Sequence, residues 1–341
     1  MSVPSSIPEI ETFLAAPTSG AIETVRDRPG DFMVLGAGGK MGTTLALMLR
    51  QALDQLGRTD AVIAVSRFSQ ASSRTNLESM GIETRACDLA DRESLAALPE
   101  APNVFYLAGT KFGTSDRPDI TWHANTVIPA LVAERFARST LVVFSTGCVY
   151  PFASLASGGA TEETPVEPLG EYAASCIGRE RIFTYYAHRF DTPVCLYRLN
   201  YAVELRYGVL VDIASKVWKG EPVDVSTGYL NLIWQGDAVA RAIQCLSVAG
   251  TPPVALNVTG PEILRVRDLA EAFGRVFGRE AAFSGEESDV CWLANAGRSL
   301  DLFGPVTVGL DQMIQWTAEY LLQGGGLLGK PTHFESRSGQ F

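Results

Sequence analysis

Residues 31–57 read DFMVLGAGGKMGTTLALMLRQALDQLG: a short apolar run, a cluster of glycines, then an apolar-periodic stretch that stops at Gly57. The opening run is too short for a helix, and its unbroken apolar character predicts a strand buried on both faces. The later stretch repeats its apolar residues at helical spacing, and Gly57 supplies a usual helix stop. A strand, a glycine turn and a helix in that order predict a turn that holds a dinucleotide pyrophosphate. Gly36, Gly39 and Gly42 would allow the tight bend, the approach of phosphate to backbone N–H groups, and close helix–strand packing. Gly38, Lys40 and Met41 complete the expected cradle. The alternative is a glycine-rich connection with no chemical role.

The same alternation continues outward. Strands are expected in DAVIAVSR (60–67), GIETRACDL (81–89), NVFYLAG (103–109), TLVVFSTGCVY (140–150) and PVCLYRLN (193–200). Between them, helices are expected near 70–79, 90–98, 121–137 and 171–190. This rhythm predicts an α/β chain with a doubly wound parallel Rossmann sheet. After Asn200 the pattern becomes irregular, which suits a smaller C-terminal substrate lobe. The expected organisation is an arm over 1–30, a dinucleotide-binding domain over 31–200, a lobe over 201–322 partly interleaved with the sheet, and a tail over 323–341. In the arm, PEIETFLAA predicts two or three helical turns, with Pro17, Ser19 and Gly20 as breakers.

Composition narrows the function. The chain has 341 residues, 46% of them apolar, and 28 basic against 38 acidic side chains, giving a formal charge of −10. That balance argues against nucleic-acid or anionic-membrane partners. No stretch approaches a membrane span, and MSVPSSIPEIETF has no basic run before an apolar core, so a cytoplasmic location is expected. Six scattered cysteines without C-x-x-C pairs, and three histidines, predict no metal site.

The second strand ends in AVSRFS. A carboxylate there would bond a ribose 2′-hydroxyl, whereas Ser66 followed by Arg67 offers a charge-assisted fork to a 2′-phosphate. NADP(H) is therefore expected ahead of NAD(H), against the alternative of a surface arginine at a strand end.

Taken together, GAGGKMG, Asp88 in ACDLAD, YLAGTKFGT, Asn125, STGCVY, Tyr172, YRLN and WQGDAVARA give the chain its resemblance to a family. It resembles the extended short-chain dehydrogenase/reductases, the NAD(P)-dependent epimerase/dehydratase group, over roughly residues 31–320. The resemblance implies that Asp88 and Leu89 lie near the adenine, and that Leu107, Ala108, Gly109, Lys111, Asn125, Ser145 and Tyr172 border the cofactor. It implies that Thr146 orients the reacting oxygen and that Tyr172 moves the proton. In the Y-x-x-x-K pattern, however, Cys176 stands where the lysine belongs. A tyrosine titrates near pH ~10 and needs a neighbouring cation to act as a base. Lys111 or an oxidised nicotinamide would have to serve, because Arg179 lies about 10 Å along the same helix face. Cys176 is either a catalytic thiol or a small buried residue.

A second departure is Leu230, which occupies the place of an arginine that grips the diphosphate in the nucleotide-sugar enzymes. The implied substrate is then a small sugar, sugar acid or polyol-like compound, with Cys148, Arg198, Asn200, Arg206 and Trp234 as candidate contacts. The two arginines would grip a carboxylate or else serve as structural ion pairs, and Trp234 is either ligand contact or core. The expected activity is an NAD(P)-dependent oxidoreductase or epimerase/dehydratase. A non-catalytic NADP(H) sensor and a nucleotide-sugar epimerase remain as alternatives. A homodimer is expected through the helices at 121–137 and 172–189.

Overall fold

A computed structural model describes residues 3–111, 116–330 and 332–339. Phe112, Gly113 and Thr114 of the YLAGTKFGT segment lie outside the described residues. Seven strands form the central sheet: β1 (Phe32–Leu35), β2 (Val62–Ser66), β3 (Glu83–Ala86), β4 (Asn103–Tyr106), β5 (Thr140–Thr146), β6 (Val194–Leu199) and β7 (Val254–Val258). Their order is β7-β6-β5-β4-β1-β2-β3, and every pairing is parallel. The register sets Phe32 beside both Val62 and Asn103, so β1 lies inside the sheet, next to β4, where the order reverses.

Each face of this sheet meets its own core, which explains the unbroken apolar strands. Phe32, Val34 and Phe105 pack to one side, while Met33, Leu35, Val104 and Tyr106 pack to the other. Two helices precede the sheet, α1 (Ile7–Leu14) and α2 (Ser19–Asp27). The strands are then connected by α3 (Lys40–Gln55), α4 (Ala71–Ser79), α5 (Arg92–Ala96), α6 (Pro118–Trp122), α7 (Ile128–Arg135) and α8 (Gly170–Phe190). Later in the chain come α9 (Val209–Lys219), α10 (Gln235–Gln244), α11 (Val266–Phe277), α12 (Gly297–Phe303) and α13 (Leu310–Leu322); α9, α11 and α13 build the core of the lobe, whereas α10 and α12 pack on the sheet. β7 returns from within this later part to complete the sheet beside β6.

Two local readings change. The expected helix over 121–137 is interrupted by a π-helical turn at His123–Val127 between α6 and α7. Pro129 has no N–H to continue the ladder, and the wider turn swings Asn125 into the interior. The expected break at Ser19-Gly20 is instead the first turn of α2, capped by Thr18. Gly20 is there for packing, since a Cβ would fall 2.1 Å from the Gln244 amide nitrogen. The first segment lies on the body of the molecule. Ala21 and Val25 join the sheet core, and Ile10 and Leu14 join the lobe core.

Candidate functional site

The glycine turn is built by steric necessity. Gly36 adopts φ +97°, and a Cβ on it would lie 2.8 Å from the Ala108 nitrogen, so the end of β4 presses directly on the turn. A Cβ on Gly42 would lie 2.6 Å from the Gly36 carbonyl oxygen, which allows α3 to start close against the turn. The helix opens with Thr43 N–H donating to the Gly39 carbonyl at 3.0 Å. As in any helix, the N–H groups of its first residues, here Lys40, Met41 and Gly42, have no intrahelical acceptor and form a positive end. Ser66 stands against Gly38, whose added Cβ would meet its hydroxyl at 2.5 Å. Arg67 beside it is exposed. Asp88 is also exposed, accepting a 3.0 Å bond from the Ala90 N–H, while Leu89 is buried under it. Leu107 and Ala108 flank Gly36. This cradle, with its close-packed glycines and outward N–H groups, fits a dinucleotide pyrophosphate.

Next to the cradle lies a cavity of about 220 Å³ at the carboxyl ends of β5 and β6, lined by Lys40, Lys111, Thr146, Cys148, Tyr172 and Asn200 among others. Thr146 ends β5, and its hydroxyl accepts from the Cys148 N–H at 3.2 Å. The Lys111 ammonium stands 5.4 Å from the centre of the Tyr172 ring. Residues 61 positions apart, from the loop after β4 and the start of α8, are thus brought face to face. Burial pushes the Tyr172 phenol well above its ordinary range; Cys176 and Cys148 push the same way, and Arg179 opposes them. Burial likewise pushes the Lys111 ammonium down and the Cys176 thiol up. Cys176 is fully buried against Val149, Tyr150 and Ala160 and shares a hydrogen bond with Tyr172. Its thiol brings no positive charge to replace the missing lysine.

Behind the cavity the polar side chains are bonded to one another. Asn125 accepts from the Thr110 N–H and from Arg179, and donates to the Thr110 carbonyl and the Ser175 hydroxyl. All its hydrogen-bonding positions are occupied, so it holds the loop after β4 against α8 and has none left for a cofactor. Arg179 also donates to the Phe144 carbonyl at 2.8 Å, and a Cβ on Gly109 would collide with its guanidinium. Ser145 lines the cavity but gives its hydroxyl proton to Glu180 at 2.6 Å.

Three expected substrate contacts are corrected. Arg198 is buried and forked onto Glu180 at 3.0 and 2.6 Å, with its remaining amine on the Tyr150 hydroxyl at 2.6 Å. Tyr150 in turn donates to Asn257 of β7 at 2.8 Å, so this is a closed network inside the sheet. Arg206 is held by Glu204 at 3.2 Å and by Glu11 of α1 at 2.8 Å. Trp234 packs edge to face with Phe13 at 5.9 Å and against Trp316 at 5.2 Å, inside the lobe core. Leu230 is buried in the same core.

The cavity wall also includes Tyr207, from the polar cluster expected after the sixth strand, and residues that sequence reasoning did not place there: Tyr201, Gly208, Val209 and Thr332. Tyr201 directly follows the YRLN segment and has φ +42°, a non-glycine backbone turn that redirects the chain after β6. The Lys40 ammonium lies 4.1 Å over the Tyr207 ring. Among the described residues no group of three or more His, Cys, Asp or Glu side chains is arranged to hold a metal ion.

Compared with known proteins, residues 32–203 match the model of the NAD dependent epimerase/dehydratase family. No curated protein matches the chain. Among solved structures, MoeE5 in complex with UDP-glucose and NAD superposes with a TM-score of 0.68 at 20% identity, covering 86% of this chain and 99% of that one. A UDP-glucose 4-epimerase from Thermotoga maritima with UDP-glucose gives 0.70 at 16% identity, over 86% of this chain and 99% of its own. A UDP-glucuronic acid 4-epimerase from Bacillus cereus in complex with NAD gives 0.71 at 18%, over the same 86% and 99%. At such identities the likeness is one of fold.

Proposed function

The chain belongs to the NAD dependent epimerase/dehydratase family, and on that premise we propose an enzyme that acts on a small hydroxylated sugar or sugar acid, with Tyr172 moving the proton. One observation carries this reading: Lys111 stands over Tyr172 in the cavity that Thr146 also lines, beside the glycine turn. A nicotinamide dinucleotide, when bound, supplies the acceptance and return of hydride. Gly36 to Gly42, Leu107 and Ala108 would hold it, with Asp88 and Leu89 toward the adenine. Thr146 would donate to or accept from the substrate oxygen and fix its position. Tyr172 would then exchange its phenolic proton with that oxygen. Lys111, from the loop after β4, offers the ammonium that Cys176 cannot, and Arg179 assists from the same helix as Tyr172. Arg179 favours a phenolate that burial disfavours, and the Lys111 ammonium beside the ring would add to it.

The cavity lining contains Lys40 and Lys111 and no carboxylate, which favours an anionic substrate such as a sugar acid. Asn200, Cys148 and the hydroxyls of Ser145, Thr146, Tyr172, Tyr201, Tyr207 and Thr332 are the other polar groups of the lining. Ser66 and Arg67 at the end of β2 favour NADP(H) over NAD(H), although structural relatives were solved with NAD. Exposed Trp122, Val127, Tyr185 and Phe190 on the neighbouring helical segments α6, the π-helical turn and α8 support a homodimer. Six unpaired, buried cysteines suit a reducing cytoplasm, and no described helix is long and apolar enough to cross a membrane.

The test is Tyr172→Phe, assayed with a panel of sugar acids and polyols both for conversion of the compound, by NMR, and for dinucleotide reduction. A turnover loss of roughly 10²–10⁴-fold with cofactor affinity unchanged is expected of a removed acid–base group. Retained activity would discard Tyr172 as the proton carrier. Dinucleotide binding with no turnover of any compound in the wild-type chain would instead favour a sensor.

A further inference from the structure

The C-terminal segment reaches the cavity at Thr332 and is pinned at four places. Thr332 lines the cavity, and its N–H and hydroxyl both donate to Asp212 of α9, at 2.8 and 2.6 Å. Phe334 is only 2% exposed and belongs to the lobe core. Arg337 lies 4.7 Å over the Phe152 ring and donates to the Ser226 carbonyl at 3.4 Å. At the far end two glycines cross backbone to backbone. A Cβ on Gly339 would fall 2.3 Å from the Leu169 oxygen, and a Cβ on Gly170 would fall 2.4 Å from the Gly339 oxygen. Both have positive φ, +71° and +83°, so each position is closed to other residues on two counts.

Gly170 opens α8, two residues before Tyr172. The segment therefore joins the lobe, at Asp212 and Ser226, to the helix that carries the proposed proton carrier. What it leaves is a cavity of about 220 Å³. Pockets for drug-sized ligands run from about 300 to 1,000 Å³, and this cavity must take a nicotinamide ring as well as the substrate.

We propose that residues 332–339, through Thr332 at the cavity and Gly339 at the start of α8, hold the substrate pocket closed around a compound of monosaccharide size, shutting out a nucleotide sugar. This rests on the reading of the site given under Proposed function. Specificity on this view comes from a segment some 160 residues away from Tyr172 (332 − 172), whose small and aromatic side chains act as anchors and not as reacting groups.

The test uses UDP-glucose as the probe, with calorimetric titration in the presence of saturating NADP or NAD. The full chain is expected to show no binding up to millimolar concentration. Deleting residues 332–341 should bring binding into the measurable range, at least tenfold tighter. Gly339→Val is the milder variant: it forces the glycine crossing apart while keeping the Asp212 and Phe334 anchors, so it covers the case in which the deletion unfolds the lobe. Dinucleotide binding, measured on the same samples, separates the two levels of the argument. If the full chain binds no dinucleotide, the reading of the site falls and this inference with it. If the dinucleotide binds but the full chain already takes UDP-glucose, or opening the crossing gains nothing, the segment has no selective role and only this inference is overturned.

Discussion

Lys40 links the glycine turn to a measurable proton. Burial pushes its pKa down to about 8; Glu204 and Glu11 pull against that, and Arg206 adds to it. Those two carboxylates are already paired with Arg206, and Lys40 also sits at the positive end of α3. A pyrophosphate bound at this helix end would supply the missing counter-charge and restore the ammonium toward its ordinary value of roughly 10.4. The unliganded chain would hold about half a proton on Lys40 near pH ~8 and the complex nearly a whole one, so binding takes up about 0.5 proton there. Near pH ~7 the uptake falls to about 0.1, and near pH ~9 it rises to about 0.9. The coupling is ~2.4 pKa units, about 3 kcal/mol at most, so affinity should decline by up to roughly 40-fold between pH ~8 and ~10. Stability of the unliganded fold runs the other way. The native state releases the Lys40 proton first, so the unfolded state binds more protons above pH ~8 and stability rises with pH there. Calorimetric titration of NADP or NAD in two buffers of unlike ionisation enthalpy reads the uptake directly. Lys40→Met should abolish it and flatten the pH dependence of affinity. Uptake below about 0.1 proton near pH ~8.5, or the same uptake in Lys40→Met, would refute this placing of the charge.

Three further outcomes are expected. NADP should bind more tightly than NAD, and Arg67→Ala should erase a preference of roughly 1.5–3 kcal/mol; equal titration curves for both dinucleotides would remove the case for a 2′-phosphate contact. Arg198→Met should cost about 3–5 kcal/mol by leaving Glu180 buried and uncompensated, whereas Glu180→Leu with Arg198→Met should recover much of it in urea unfolding; equal losses in single and double variants would contradict the pairing. Light scattering at micromolar concentration should give the dimer mass, reduced to the monomer by Val127→Glu with Tyr185→Glu; a monomeric wild-type chain would end the dimer reading.

The sheet and its glycine turn were legible because both follow from local pattern. Apolar runs bounded by helices permit few alternatives, and the close approach of Gly36 to Ala108 leaves little choice of residue. Partners distant in sequence were not legible. Arg198 and Arg206 looked available for a carboxylate, but Glu180 and Glu11 hold them, and no spacing rule connects Glu11 to a residue 195 positions later. Trp234 could not be told from a ligand contact until Phe13 and Trp316 closed around it. The helix at Ser19–Asp27 was hidden by Gly20, a packing glycine that looks like a breaker in sequence. Thr332 carried no signal at all. It becomes part of the cavity only because Asp212 captures it.

The seventh strand also bears on how the chain is made. Val254–Val258 reaches its place beside β6 only after α9 and α10 have been synthesised. Until then β6 presents an open row of N–H and C=O groups, the kind of edge that recruits other chains. A polypeptide cut at Asn200 would keep that edge exposed. It would also lose Asn257, the last member of the network running through Tyr150 and Arg198 to Glu180. Folding of the nucleotide-binding half therefore waits on sequence from the other half. Pairings of such long separation are slow to form, so the nascent chain must keep the β6 edge out of contact with its neighbours until about three quarters of it has been translated (258 of 341 residues).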